Sequence, residues 1–154
     1  MNTAIEYLLN KASAVQIAEH LSRCDADFVP PLSGRVEIKD YARKIASNAT
    51  RFEAWSGGTL VGLVAAYCND REKRIAYITS VSVLREWTGK GIASHLMSRC
   101  VEHARASGMR QMSLEVASGN APAIELYEER GFIAGKADAP LITMALMLEK
   151  RGRT

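Results

Sequence analysis

The 154-residue sequence has few cysteines, no long apolar run and no large surplus of charge of one sign. Its three cysteines, Cys24, Cys68 and Cys100, lie far apart and form no CxxC pair, which excludes a disulfide framework and predicts reduced thiols. The longest apolar stretch, near residues 60–68, is far shorter than the roughly 20 residues of a membrane-spanning helix. The net charge of +3, from 20 basic and 17 acidic residues, is too small to indicate nucleic-acid binding.

The composition that remains is that of an ordinary globular protein. Hydrophobic residues make up 47% of the chain and charged residues 24%, without the excess of Pro, Ser or Gln that marks disorder. The first ten residues lack the basic start and apolar run of a signal peptide. We therefore expect a single cytoplasmic domain over residues 1–154, bound to neither membrane nor nucleic acid. The sequence leaves the oligomeric state open and allows a homodimer.

Apolar periodicity predicts an α/β fold in which strands and helices alternate. A capping box at Ser13 and Gln16 begins one helix, and a stripe of apolar residues at 38–49 indicates a second. The predicted strands are residues 5–9, 51–55, 60–67, 73–83, 112–116 and 141–148, with one more near Phe132, and helices follow residues 91 and 121. Gly57 and Gly58 suit a tight hairpin turn. Together these elements predict a mixed, mostly antiparallel sheet of six to seven strands flanked by about four helices.

A glycine-rich turn opens the most regular predicted helix. Its residues are Thr88, Gly89, Lys90, Gly91, Ile92, Ala93 and Ser94. Glycines let the backbone approach a ligand closely, and the free N–H groups of a helix N-terminus favour a phosphate. A turn of this composition also serves as a plain connector between a strand and a helix.

Two common phosphate-binding motifs are excluded by spacing. A Walker loop needs Ser or Thr after Gly-Lys and an upstream Gly, but here Gly91 follows Lys90 and Leu84 holds the upstream position. A dinucleotide fingerprint needs a glycine where Ser94 stands. The turn therefore belongs to a different kind of phosphate site, or to none.

The residues behind the turn complete a recognisable series. In order, they are Leu114-Glu115-Val116, Asn120, Ala123, Leu126-Tyr127 and Gly131-Phe132. With them, residues 60–148 resemble the GCN5-related N-acetyltransferase (GNAT) superfamily, whose pattern [Gln/Arg]-x-x-Gly-x-[Gly/Ala] binds the pyrophosphate of acetyl-CoA. Gly91 and Ala93 match this pattern, and Thr88 replaces its long polar residue. The resemblance implies a GNAT-like sheet splayed between its fourth and fifth strands, acetyl-CoA as cosubstrate, and N-acetyltransferase activity.

The resemblance also implies roles for individual residues. Expected contacts with the cosubstrate are the main chain of Val81, Ser82 and Val83, the turn from Thr88 to Ser94, Asn120 and Tyr127. Tyr127 would protonate the departing thiolate, and Glu115 would accept the proton of the amine. Alternatively, Glu72 could accept this proton, or a bound water could accept it with Ser80 or Ser82 as a relay. The cysteines show no His-supported nucleophile, which favours direct transfer in a ternary complex.

The acceptor is expected to be a primary amine of a small molecule. It would contact the loop after the first helix, with Asp25, Asp27, Phe28 and Arg35 as candidate residues. The alternatives are an N-terminal protein or peptide acetyltransferase, suggested by the residues around Glu115, and a non-catalytic CoA-binding regulatory module. His95 and His103 lie two helical turns apart, too far for one ion, and we expect no metal.

Overall fold

The computed structural model describes residues 4–138 and 140–149. The strands and helices run in the order β1 (Glu6–Leu9), α1 (Ala14–Cys24), α2 (Ile38–Asn48), β2 (Thr50–Ser56), β3 (Thr59–Tyr67), β4 (Ile75–Val83), α3 (Ile92–Ala106), β5 (Gln111–Ala117), α4 (Ala121–Glu129), β6 (Ile133–Asp138) and β7 (Leu141–Met147). The predicted sheet flanked by helices is confirmed. Within this part of the chain, no helix combines the length and apolar character needed to cross a membrane.

The strands form one mixed sheet in the order β1-β2-β3-β4-β5-β7-β6. All neighbouring pairs among the described strands are antiparallel except β4 and β5, whose parallel pairing covers three residue pairs and ends at Tyr77 with Ser113. Both strands continue, to Val83 and Ala117, with no further pairing between their described residues. The predicted splay between the fourth and fifth strands is thus confirmed.

The sequence signals for local structure correspond to hydrogen bonds and turns. The Ser13 hydroxyl accepts from the N–H of Gln16, and the Gln16 side chain accepts from the N–H of Ser13, so the predicted capping box begins α1. Gly57 and Gly58 have φ angles of 56° and 83°, which only glycine adopts readily. They form the predicted tight turn between β2 and β3.

Two apolar clusters cover the two faces of the sheet. On one face, α1 and α2 pack over β3, with Ile17, Leu21, Ile45 and Leu63 all fully buried. On the other face, α3 packs over β2 and β3, and the cluster extends to β5, α4 and β7; it includes Leu96, Met97, Cys100, Met112, Leu114, Tyr127 and Met144. The opening between β4 and β5 is therefore flanked by different helices on its two faces.

A bulge in β4 changes which of its side chains face each cluster. Ala65 of β3 lies opposite Ser80 and Ala66 lies opposite Ile78, so Thr79 is an extra residue. Ile78 packs in the cluster beneath α3. Because the bulge shifts the alternation of side chains, Ser80 points to the opposite face, towards α1 and α2.

A buried carboxylate fixes the start of α1 against the sheet. Glu53 of β2 is fully buried, and its oxygens accept from the backbone N–H groups of Lys11 and Ala12 and from the Trp55 indole. The Arg51 guanidinium lies 3.5 Å from the same carboxylate and donates to the Ala12 carbonyl. Three hydrogen-bond donors and one guanidinium cation thus surround one buried charge, which is the condition under which such burial is tolerated.

Gly62 of β3 allows α3 to lie close to the sheet. A Cβ atom at this position would lie 2.7 Å from Cγ2 of Ile92, the first residue of α3. Ile92 is β-branched and buried, so its side chain cannot easily turn away. We predict that Gly62→Ala lowers the free energy of unfolding by about 1–3 kcal/mol through overpacking, measured by urea denaturation.

Gly34→Ala is the matched control, because a Cβ there meets no atom within 4 Å. This variant should unfold at nearly the same urea concentration as the wild type. Equal stability of the two variants would contradict the close contact between α3 and β3.

Candidate active site

A cleft of about 350 Å³ occupies the opening between β4 and β5. Its lining comes from the loop between α1 and α2, from α2, from both strands, from α4 and from the start of β7; it includes Asp27, Phe28, Arg35, Tyr41, Tyr77, Ser80, Val81, Glu115, Asn120, Tyr127 and Leu141. A larger groove of about 1020 Å³ lies beside α1 and includes none of the residues of β4, β5 or α4. The cleft, and not the groove, contains the predicted residues Glu115, Asn120 and Tyr127. The glycine-rich turn lies outside the lining of the cleft.

The main chain of β4 offers unpaired groups to this cleft. The N–H of Leu84 donates to the Val61 carbonyl, at 2.9 Å, so the main chain of Leu84 faces β3. Because main-chain groups alternate along a strand, those of Ser82 also face β3, whereas those of Val81 and Val83 face the opening. Of the three predicted contacts with the cosubstrate, Val81 and Val83 have available N–H groups, and the Ser82 main chain is directed away.

The glycine-rich turn presents donors of the kind that the sequence predicts. Gly89 and Gly91 both have φ of 78°, and Gly91 precedes α3 without any side-chain cap. Among the described residues, no hydrogen bond from the N–H groups of residues 89–94 is found. Thr88 turns its hydroxyl inward, donating to the Arg85 carbonyl at 2.7 Å. The turn therefore offers backbone N–H groups and the exposed Lys90, but no side-chain contact from Thr88.

Glu115 reaches the cleft from β5. Its side chain is exposed. Across the opening, the hydroxyl of Tyr77, a residue of β4, donates a long hydrogen bond of 3.5 Å to Glu115 Oε1. Burial, followed by the negative charge of Glu115, raises the pKa of Tyr77. Glu72, an alternative base, lies in the turn before β4 and outside the cleft lining.

Tyr127 and Asn120 reach the cleft from α4. Tyr127 is 7% exposed, and burial raises the pKa of its phenol to about 12, so it remains a neutral donor at physiological pH. No partner of its hydroxyl is found among the described residues. Asn120 caps α4 by accepting from the N–H of Ala123, at 3.4 Å, while it lines the cleft.

Of the acceptor contacts predicted in the loop between α1 and α2, some line the cleft and one does not. Asp27, Phe28 and Arg35 line the cleft, and Asp27 forms an ion pair with Arg85. Asp25 lies outside the lining, and its carboxylate accepts from the N–H of Ser33, at 2.7 Å. Hydrogen bonding to this N–H also lowers the pKa of Asp25. Asp25 thus holds the loop, as aspartates in turns commonly do.

Two cleft residues, Tyr41 and Thr79, have no sequence signal that marks them as functional. The buried Tyr41 hydroxyl donates to the Thr79 carbonyl, at 2.6 Å, and the Thr79 hydroxyl can donate to Tyr41, at 2.8 Å. Ser80, next to the bulge, also lines the cleft. Tyr41 follows the apolar stripe of α2, which is typical of core packing, and no sequence pattern reveals the bulge.

His20 of α1 connects the helix to β3 and β4. Its Nδ1 lies 2.9 Å from the Leu60 carbonyl, which can only accept, so Nδ1 carries the proton and Nε2 accepts from the Ser82 hydroxyl, at 2.9 Å. Cys24 Sγ lies 3.8 Å from Nε2, so one cysteine does have a histidine neighbour, contrary to expectation. Burial raises the pKa of the Cys24 thiol to about 11, and Cys24 lies outside the cleft lining, so it does not act as a nucleophile there.

The family of this chain follows from comparison with known proteins. A family model described as the acetyltransferase (GNAT) family matches residues 14–132. The chain therefore belongs to the acetyltransferase (GNAT) family. This match includes α1, the whole cleft except β7, and the glycine-rich turn.

Individual relatives differ in their acceptors. The chain is 33% identical to N-alpha-acetyltransferase MAK3 of Arabidopsis thaliana over 86 residues, which cover 55% of this chain and 45% of that protein. It is 32% identical to streptothricin acetyltransferase of Streptomyces lavendulae over 96 residues, 62% of this chain and 50% of that protein. The chain thus spans half or less of these curated relatives.

A solved structure shows the same fold over nearly the full length. The PaiA N-acetyltransferase of Thermoplasma acidophilum, in complex with coenzyme A, superposes with a TM-score of 0.72 and 17% sequence identity, covering 94% of this chain and 99% of that chain. At this identity the likeness establishes the fold.

The buried His20 makes stability depend on pH. Burial lowers its pKa from 6.5 to about 4, so between these values the unfolded chain binds a proton that the folded chain does not. Stability contributed by the neutral imidazole is complete above about pH 6.5 and is lost as the pH falls towards 4. We predict that the free energy of unfolding falls by about 2 kcal/mol from pH 7 to about pH 5, measured by urea denaturation.

His20→Gln is the control, because glutamine can donate to Leu60 and accept from Ser82 without titrating. Its stability should change less over the same pH range. An identical pH dependence in both proteins would show that His20 is not the responsible group.

Proposed function

We propose that this chain is a single cytoplasmic domain that transfers an acetyl group from acetyl-CoA to a primary amine of a small molecule. Membership of the GNAT family supports the acetyl donor. The observation that carries the proposal is the convergence, in one cleft, of the unpaired edge of β4, a carboxylate at Glu115 and a neutral phenol at Tyr127. Direct attack in a ternary complex is the mechanism that these groups suit.

The chain has features that fit the donor. Free N–H groups at residues 89–94 and the positive end of α3 suit a pyrophosphate, and Gly89 and Gly91 leave the backbone open on that side. The unpaired N–H groups of Val81 and Val83 suit the amide-rich arm and the thioester carbonyl. An N–H fixed in a strand stabilises the negative charge that develops on the carbonyl oxygen during attack.

The acceptor nitrogen must lose a proton to become a nucleophile. A primary amine is protonated near neutral pH, with a pKa of about 10. Glu115, exposed to the cleft, accepts this proton, and the nitrogen lone pair then attacks the acetyl carbonyl. A C–N bond forms as the C–S bond breaks, and the electron pair of that bond leaves with sulfur. The nitrogen then loses a second proton and the thiolate gains one, so that the products are the amide and free CoA thiol.

Tyr127 assists the departing sulfur. Its high pKa keeps the proton on the phenol, so the hydroxyl donates a hydrogen bond to sulfur as negative charge develops. Because no described residue bonds to this hydroxyl, the donor is available. Asn120, beside it, supports the start of α4 and hence the position of Tyr127.

The size of the cleft favours a small acceptor over a peptide. Its volume of about 350 Å³ is near the lower end of the range for small-molecule sites. Similarity to MAK3 favours a second candidate, an N-terminal peptide amine. Competition between peptides and small amines for the same acetyl-CoA distinguishes the two.

The proposal predicts release of free CoA thiol from acetyl-CoA when a suitable amine is supplied. A panel of amines, amino sugars, polyamines and peptides tests this, with binding of acetyl-CoA followed by thermal shift. If no acceptor gives thiol release and acetyl-CoA gives no thermal shift, the proposed function is wrong. Thermal shift without release would instead indicate a CoA-binding module.

Tyr127→Phe should lower kcat about 100-fold, because it removes the donor to sulfur while keeping the packed ring. Its stability should stay within about 0.5 kcal/mol of the wild type. Tyr67→Phe is the matched control, since Tyr67 has a buried hydroxyl without a partner among the described residues and lies outside the cleft lining. Equal kcat values for the two variants would exclude Tyr127 as the donor.

Glu115→Gln should lower kcat by about 100-fold or more near neutral pH, because the amide cannot accept the proton of the ammonium. The deficit should shrink as the pH approaches the pKa of the amine, where the nucleophile is already neutral. Steady-state rates across pH measure this. Glu72→Gln serves as the control and should keep the wild-type profile; a loss in Glu72→Gln instead would assign the base to the other carboxylate.

A further inference from the structure

The wall of the cleft on the side of α2 is lined by hydroxyl groups. Tyr41, Tyr77, Thr79 and Ser80 form this hydroxyl strip, which runs from the end of the β4–β5 pairing past the bulge. Burial raises the pKa of Tyr41 and of Tyr77, so both phenols stay neutral. The strip therefore offers neutral donors and acceptors.

The remaining wall, formed by β5, α4 and β7, carries Glu115, Asn120 and Tyr127 between apolar side chains. The apolar side chains are Leu114, Val116, Ala123, Leu126 and Leu141. A ligand that fills the cleft thus meets hydroxyl groups on one side and, apart from these three polar groups, hydrocarbon on the other. This asymmetry suits a molecule with a polar edge and a non-polar face.

Ser80 stands apart from the rest of the strip because its hydroxyl has no partner. The residue is 5% exposed, and its Oγ makes no hydrogen bond with any described residue. An unpaired buried hydroxyl costs about 1–3 kcal/mol. Ser82, two residues further on, has its hydroxyl bonded to His20. One of two similar serines on β4 is therefore satisfied by the protein, and the other, a residue of the cleft lining, makes no hydrogen bond with any described residue.

The Tyr41 hydroxyl lies near Ser80 but makes no hydrogen bond with its Oγ. The single proton of Tyr41 is directed to the Thr79 carbonyl, and the Thr79 hydroxyl can donate back. The attacking nitrogen can donate to Ser80 through its remaining N–H bonds, but it cannot accept the Ser80 proton, because its lone pair is directed to the carbonyl. The partner of Ser80 is then a second polar atom of the acceptor, one that can both donate and accept.

We propose that the acceptor is a small amine that also carries hydroxyl groups, such as an amino alcohol or an amino sugar, and that Ser80 selects it by hydrogen bonding to one of these hydroxyls. This inference rests on the proposed acetyl transfer. The other hydroxyls of the strip contact the same polar edge, and the apolar wall covers the carbon face of the ligand. A site that hydrogen-bonds a substrate hydroxyl discriminates strongly against the analogue that lacks it.

The first experiment compares matched amines by thiol release from acetyl-CoA. Glucosamine is paired with cyclohexylamine, and 2-aminoethanol with propylamine, so each pair has a similar size and differs mainly in its hydroxyl groups. We expect kcat/KM to be at least about tenfold higher for the hydroxylated member of a pair. Equal or reversed preference in both pairs overturns the inference and leaves acetyl transfer intact.

The second experiment uses Ser80→Ala in the full chain. This variant should lose most of the tenfold preference through a higher KM for the hydroxylated amine, while KM for acetyl-CoA stays unchanged. Its stability should equal or exceed that of the wild type, because an unpaired buried hydroxyl has been removed. A preserved preference in Ser80→Ala overturns the role of Ser80.

Ser82→Ala is the matched control on the same strand. It removes the hydrogen bond to His20 and should lower stability by urea denaturation, yet keep the ratio between hydroxylated and plain amines. A loss of this ratio in Ser82→Ala as large as in Ser80→Ala would reduce Ser80 to a structural role and overturn the assignment. Failure of every amine to release thiol would instead overturn the proposed function, and this inference with it.

Discussion

The separation of β4 from β5 is the constraint on which the rest of the site depends. Parallel strands that stayed paired would bury the edge of β4 in a ladder, and no cleft would exist. Here pairing ends at Tyr77, and the bulge at Thr79 follows within two residues. The Tyr41 hydroxyl holds the bulge by bonding the Thr79 carbonyl. A side chain of α2 thus keeps open a gap that two strands would otherwise tend to close.

The separation also gives the opening different neighbours on the two faces of the sheet. On the side of α3, Gly62 lets that helix, which the glycine-rich turn precedes, lie close to β3. On the side of α1 and α2, the opening meets the loop that carries Phe28 and Arg35. In the proposed reaction, the amine would therefore enter from the side of α1 and α2 and attack the thioester of a cosubstrate held on the side of α3.

Local features could be predicted from the sequence, and features that depend on distant contacts could not. The capping box at Ser13, the hairpin at Gly57 and the succession of strands and helices along the chain follow from short-range patterns, and the structure confirms them. The bulge does not, because it results from the register of β3 against β4. Since the bulge decides which face Ser80 occupies, the hydroxyl strip was beyond sequence patterns. The separation of the fourth and fifth strands was predicted from the resemblance to the family, because apolar periodicity does not indicate which strands separate.

In the proposed reaction, the two substrates are recognised through different parts of the chain. Donor contacts would come mainly from backbone N–H groups in the turn and on β4, which any sequence with the right glycines can supply. Thr88 can therefore bond to Arg85 without removing a donor contact of this kind. Acceptor contacts would come from side chains, and a single hydroxyl there could decide between ligands because its unpaired state is costly. A sequence motif can therefore identify the donor, whereas the acceptor is encoded in side chains that only the folded sheet brings together.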